Sequence, residues 1–264
     1  MYETLELERR GAAAIIRLHR PAALNAWNDQ LGHELLDAVR GVAEDDAVRA
    51  VGVTGSGRAF SSGADLRDIA ARPMTAEGSI DVYTTLTTVY HPILTTLRRM
   101  PKPVVAALNG PAVGIGCSLA LTCDLIVCAE SAYMLLAFAN IGLVPDGGAL
   151  ALVSTRAGAG RAAAMALLGE RVAAPDLLRS GLVDEVVADD ELDDRLCARL
   201  DAFAAGPTRS YAGCKRQLNA WLYADLDEQL EREARIQQEM AGSADFREGV
   251  SAFVEKRAPK FSGR

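Results

Sequence analysis

Two short runs, AVGVTG at 50–55 and PVVAAL at 103–108, constrain this chain most, because each is almost wholly apolar and each runs into a glycine-rich loop. Both read as strands, the second as a buried one. A hairpin comes before them: residues 2–8 alternate apolar and polar, and AAAIIRL at 12–18 follows across an Arg-Arg-Gly turn. Between hairpin and first run, RPAALNAWND reads as a turn ending in an Asn28/Asp29 cap. Leu31, Leu35, Leu36, Val39 and Val42 then recur at helical spacing to about Glu44.

Strand and helix continue to alternate. The spacing predicts a helix over about 78–99, a short helix after the second glycine turn, a strand DLIVCA at 124–129, helices filling 147–181 and a last strand GLVDEVV at 181–187. The alternation points to an α/β core. Beyond Asp189 the pattern is helical almost without interruption, and over 225–240 Leu226, Leu230, Ala234 and Met240 mark a narrow apolar stripe. The expected organisation is a core domain over 1–190 and a helical C-terminal region over 191–264. The composition RDIAARPMTAEGS predicts a loop in the region around 68–90.

Composition narrows the classes of function. With 264 residues, half of them hydrophobic, the chain can bury a substantial core, and a net charge of −7 argues against a nucleic-acid partner. Cys117, Cys123, Cys128, Cys197 and Cys214 are odd in number and form no CxxC, so neither a disulfide framework nor a zinc site is indicated, and a reducing cytoplasm fits. The longest apolar runs are too short to span a bilayer, and no signal-peptide pattern opens the sequence. His19, His33 and His91 share no motif and read as surface or strand-end residues.

The glycine loops carry the chemistry. SSGADL after the first strand and NGPAVGIGCSLAL after the second allow backbone N–H groups to face outward, and the second opens a helix whose N-terminus favours negative charge. Two converging amides would form an oxyanion hole; taken singly, each loop is equally an ordinary strand-to-helix connection. One acid, Asp146, stands alone in the stretch from Ala132 to Leu168, within VPDGG. It reads either as a catalytic carboxylate or as the cap of a helix starting near Gly147.

In sequence order, RPAALNAW, AFSSGADL, PKPVVAALNGPAVGIGCSLALTCDLIVCA, IGLVPDGG and REGVSAFVEKRAPKF resemble the enoyl-CoA hydratase/isomerase (crotonase) family across nearly the whole chain. The resemblance implies a core of stacked β-β-α turns, a helical C-terminal region that builds a homotrimer or dimer of trimers, and an acyl-CoA thioester as substrate. Coenzyme A is then part of the substrate, and no separate cofactor or metal is implied. By motif position the oxyanion amides would come from Ala64 and Ile115, where Ile115 replaces the more usual glycine; Asp65, Leu66, Leu136, Ser118 and Phe138 would line the substrate site. Phe253 and Lys256 would meet the nucleotide end of CoA, often in a neighbouring subunit.

Family hydratases carry two glutamates, and the matching positions here are Ser118 and Phe138, which cannot ionise near neutral pH. Asp146 matches the aspartate of ring 1,2-epoxyphenylacetyl-CoA isomerases and related double-bond isomerases, in which one carboxylate suffices to move a proton between two carbons. The sequence therefore favours a cytoplasmic acyl-CoA isomerase. A hydratase with a non-standard site and a non-catalytic acyl-CoA-binding protein are the alternatives.

Overall fold

The computed structural model describes residues 2–69, 73–76 and 78–264. Strands β1 (Leu5–Arg10) and β2 (Ala13–Leu18) form the opening hairpin, antiparallel from Leu5 opposite Leu18 to Arg10 opposite Ala13. Helix α1 (Asp29–Glu44) begins where the Asn28 side chain accepts from the Leu31 N–H at 3.0 Å, and it buries the five predicted apolar positions against the sheet. Strand β3 (Ala50–Gly55) is buried along its whole length and lies parallel to β2. A short helix α2 (Leu66–Ile69) follows, then a helical stretch made of α3 (Tyr83–Thr85), one π-helical turn over Leu86–Tyr90 and α4 (His91–Arg99).

Strand β4 (Val104–Leu108) pairs parallel with β3, Val51 opposite Val104. Beyond it come β5 (Ala112–Val113), α5 (Ile115–Thr122), β6 (Leu125–Ala129) and β7 (Tyr133–Leu135). Three successive passages of the chain stack on one another. β3 leads to Ser61, β4 to β5 and β6 to β7; the first members pair in one sheet, while Ser61 bridges Ala112 and Ala112 pairs with Met134 in a second direction, all parallel. With β8 (Val172–Ala173) and β9 (Glu185–Val187) the sheet orders are β1-β2-β3-β4-β6-β9 and β5-β7-β8. This is the expected α/β core of stacked β-β-α turns.

Several boundaries differ from the sequence expectation for local reasons. The helix expected from about 78 begins at Tyr83, so the loop reading of 68–90 fails from there on; residues 70–72 and 77 lie outside the described set. The π turn ends two residues before Pro92, which has no N–H with which to continue the α ladder. The stretch 147–181 holds α6 (Ala149–Ala157), α7 (Ala159–Leu168) and α8 (Ala174–Arg179), broken at Gly158 with φ +85° and again by β8. The last strand is shorter than 181–187 because Gly181 turns the chain with φ +77° before β9 can pair.

Four helices complete the chain: α9 (Leu192–Ala205), α10 (Thr208–Leu222), α11 (Leu226–Ala241) and α12 (Ala244–Glu255). Helix α9 lies directly on the large sheet, where a Cβ on Gly52 would come within 2.9 Å of Leu200 Cδ1. Helix α12 packs on the turn around Ile141 and Gly142, backbone to backbone: a Cβ on Gly249 would stand 2.6 Å from Ile141. Among the described residues no helix is long and apolar enough to cross a membrane.

Candidate active site

The first glycine loop is held by the segment that precedes α1. Trp27, fully buried and edge-on to Tyr90, donates its main-chain N–H to Gly63 O at 2.8 Å, and Asp65 N–H donates to Trp27 O at 2.9 Å. In such a bridge the residue between the two bonded ones turns its own amide to the opposite edge, and that residue is Ala64. Asn25 shapes the same corner by donating to Ser56 O and Ala59 O while accepting from Arg20 N–H. The RPAALNAW motif thus acts as the mould of the SGAD loop.

The second loop is stitched to the first. Ser61 N–H donates to Pro111 O at 3.0 Å, and Val113 N–H donates to Ser61 O at 2.8 Å. A Cβ on Gly63 (φ +92°) would lie 2.9 Å from Val113 O and 3.8 Å from Gly114 Cα, so glycine is required for the approach. Gly114 (φ +54°) then turns the chain into α5, whose first residue is Ile115. An amide in the first turn has no intrahelical acceptor and carries the positive end of the helix dipole. Among the described residues neither the Ala64 nor the Ile115 N–H donates to a backbone carbonyl.

Ile115 keeps an ordinary backbone: the described non-glycine residues with positive φ are Leu24, Asn25 and Lys256. Its side chain turns into the protein, 2% exposed, with Cδ1 only 2.6 Å from where a Cβ on Gly147 would stand. This contact explains the first glycine of VPDGG. Phe138 arches over the same loop, its Cζ 3.7 Å from the Cβ position of Gly114.

Asp146 is brought beside these groups by the chain just before α6. Its main-chain carbonyl accepts from Ser118 Oγ at 2.8 Å and from Ala149 N–H at 3.2 Å, and Gly148 occupies the N-cap position. The helix start therefore uses the carbonyl of Asp146. Its side chain, 7% exposed, has Oδ2 accepting from Gln237 Nε2 at 3.0 Å.

Other expected residues fall into different places. Ser118, expected in the substrate-site lining, is fully buried, and its Oγ donates to Asp146 O, so it braces the Asp146 loop. Leu136 is likewise fully buried. Asp65 faces Arg20, with the two terminal guanidinium nitrogens each 3.3 Å from Oδ2, and Leu66 starts α2. Phe253, 62% exposed, and Lys256, the left-handed C-cap of α12, lie on the outer end of that helix; the contacts described for this chain join neither to Asp146.

Three polar residues at the site were not found by sequence reasoning. On α11, Glu233 accepts from Gly148 N–H through both oxygens, at 2.9 and 3.0 Å, and Gln237 Oε1 accepts from Val144 N–H at 3.0 Å. His91, expected at a surface, is buried at the start of α4 with Nε2 3.3 Å from Glu233 Oε1. Burial pushes the Glu233 carboxyl above the usual carboxylate range, against the His91 and Gly148 contacts that favour its charge. Burial likewise pushes the thiols of Cys117, Cys123 and Cys128 up to about 12, which leaves them inert packing groups.

Comparison with known proteins agrees with this architecture. The chain is 42% identical over 263 residues to a probable enoyl-CoA hydratase of Rhodobacter capsulatus, covering 100% of this chain and 99% of that one. It is 37% identical over 249 residues to the 1,2-epoxyphenylacetyl-CoA isomerase of Escherichia coli, covering 94% of each. The crystal structure of an enoyl-CoA hydratase from Mycobacterium avium subsp. paratuberculosis superposes with a TM-score of 0.89 at 34% identity, over 99% of this chain and 100% of the other. The family model for enoyl-CoA hydratase/isomerase matches residues 8–264, and the chain belongs to that family.

Proposed function

We propose that this family member is an acyl-CoA isomerase that moves a double bond with Asp146 as its single acid/base. The observation that carries the reading is the placement of Asp146 in the loop packed on Ile115 and Ser118, with the non-ionising Ser118 and Phe138 at the two positions where hydratases resemble one another in carrying glutamates. In this reading the Ala64 and Ile115 amides hold the thioester oxygen. Asp146 takes a proton from C2 of a 3-enoyl thioester, and the electron pair moves onto the thioester oxygen as a dienolate. The protonated acid then returns its proton at C4, leaving the double bond between C2 and C3 with no water consumed. Phe253 and Lys256 would serve the nucleotide end of a substrate bound by a neighbouring copy in a trimer.

The name of the Rhodobacter relative favours a second reading, hydration. Hydration needs a base to activate water, and Glu233, a second buried acid beside this loop, already accepts from Gly148 through both oxygens. One experiment decides between them: incubation with a 3-enoyl-CoA and with a 2-enoyl-CoA, following double-bond shift and 3-hydroxyacyl-CoA formation by mass and absorbance. Isomerisation of the first without hydration of the second is expected. Hydration of crotonyl-CoA with 3-enoyl-CoA untouched would sink the isomerase reading. Asp146→Asn should lower isomerisation by about 10²–10⁴-fold with ester binding largely retained, the usual contribution of a positioned acid/base; unchanged turnover would remove Asp146 from the chemistry.

A further inference from the structure

We propose that Gln237 is a positioning residue for Asp146, a proposal that rests on the acid/base reading above: it clamps the loop at Val144 and directs a fixed hydrogen-bond donor at the carboxylate. The orientation of its amide is set from both ends. Val144 N–H requires an acceptor and receives Oε1 at 3.0 Å, while the carboxylate of Asp146 receives Nε2 at 3.0 Å. A flipped amide would set N–H against N–H and oxygen against carboxylate, so only one orientation is stable. Gln237 is 2% exposed, which denies it alternative partners in solvent.

Pro145 lies between the two clamped residues. It has no N–H to offer and fixes its own φ, so gripping Val144 and Asp146 on either side holds the whole VPDGG turn from one side chain. The donated bond also has a chemical sign. An NH₂ group donates to a carboxylate and cannot accept from a carboxylic acid, so the contact favours the ionised form that can take a proton. Among the described residues, the titratable groups packed around this loop are Glu233 of α11, bonded to Gly148, and His91 of α4, which faces Glu233 and lies near the half-buried Glu231. From α5 the loop meets Ser118, which does not titrate.

Gln237→Glu separates the two functions of the side chain. One glutamate oxygen can still accept from Val144 N–H, keeping the turn, but the other would confront Asp146 and oppose its ionisation. With 3-hexenoyl-CoA as probe, the acid limb of the pH–rate profile should move up by about one unit or more, kcat at a fixed pH on that limb should fall about tenfold, and KM should stay within about twofold. Gln237→Met, which introduces no charge, should move the limb in the same direction and also lower the melting temperature by freeing Val144. A role confined to holding the turn would leave the limb of the glutamate variant where it stands in the natural protein, and that result overturns the proposal. Asp146→Asn keeps the two claims distinguishable. If that variant still isomerises, the acid/base reading fails; if it is inactive while Gln237→Glu titrates like the natural protein, only the positioning role fails.

Discussion

Helices α10 and α11 both send polar side chains into the protein, at nearly equal depth and to different ends. On α10 the single buried residue is Lys215, 6% exposed, whose Nζ donates to Leu97 O, Lys102 O and Asp124 Oδ2 at 2.8–3.2 Å. On α11 the buried polar residues are Glu233 and Gln237, and both reach the loop that carries Asp146. Lys215 ties the C-terminal end of α4 to the start of β4 and the start of β6, whereas α11 ties down the loop that carries Asp146. Equal burial of polar groups therefore says nothing about function; the identity of what they satisfy does.

The largest expected effect tests the structural side of this contrast. Lys215→Met leaves two carbonyls without their donor and Asp124 with Arg98 as its remaining cationic partner. Breaking a buried pair commonly costs about 3–5 kcal/mol, and because Arg98 stays, we expect about 3 kcal/mol. For a chain of this size that is roughly 6–12 °C of melting temperature. Turnover measured well below the transition should remain near that of the natural protein. A large loss of kcat with little loss of stability would erase the distinction between the two helices.

How much of this was legible in the sequence follows the same division. The strands at 50–55 and 103–108, the α1 stripe and its Asn28 cap could be read because apolar burial and capping are local patterns, visible over a few residues. The close approach of the two glycine loops was legible only through the motif resemblance, since it depends on Ser61 meeting Pro111 and Val113 some fifty residues away. On α11 the stripe Leu226, Leu230, Ala234 was found, and these are buried, while Met240 is only partly so. Glu233 and Gln237 share that face, at spacings that continue it to Ala241, but a hydropathy pattern scores them as interruptions. A polar residue on the buried face of a helix was the available signal, and its partners, 85 to 93 positions distant in sequence, could not be read from it.

A smaller effect probes how far the hold of α11 extends. Gln238 Oε1 accepts from Val82 N–H and Tyr83 N–H at 2.9 and 3.0 Å, and its Nε2 donates to Ser79 Oγ and Ile80 O. Replacing it with Leu removes partners from two amides at once, at a cost of about 1–2 kcal/mol because the site is only partly buried and water can substitute. Hydrogen exchange should accelerate over 79–83 and stay unchanged in the β4–β6 region. Equal acceleration in both would mean that α11 supports the whole fold, as α10 does, and does not act locally.

The smallest effect concerns the sign of a charge. The Glu233 carboxyl is raised in the folded protein by desolvation, so between its unfolded and folded titration points the folded state holds more protons than the unfolded chain. Its contribution to stability is then fully present below about pH 4.5, the unfolded value, and is lost as pH rises through the folded value. Glu233→Gln keeps an oxygen for Gly148 N–H and removes the titration, so the difference in melting temperature between mildly acidic and neutral solution should shrink by a few degrees. Lys215 provides the control: its ammonium is bonded to Leu97 O, Lys102 O and Asp124 and not to the Asp146 loop, so Lys215→Met should displace the melting curve while leaving in place the slope that Glu233 sets between mildly acidic and neutral pH. If the slope belongs to Lys215→Met and Glu233→Gln leaves it intact, the coupling of α11 to the protonation of this loop is wrong, and α11 is a strut like its neighbour.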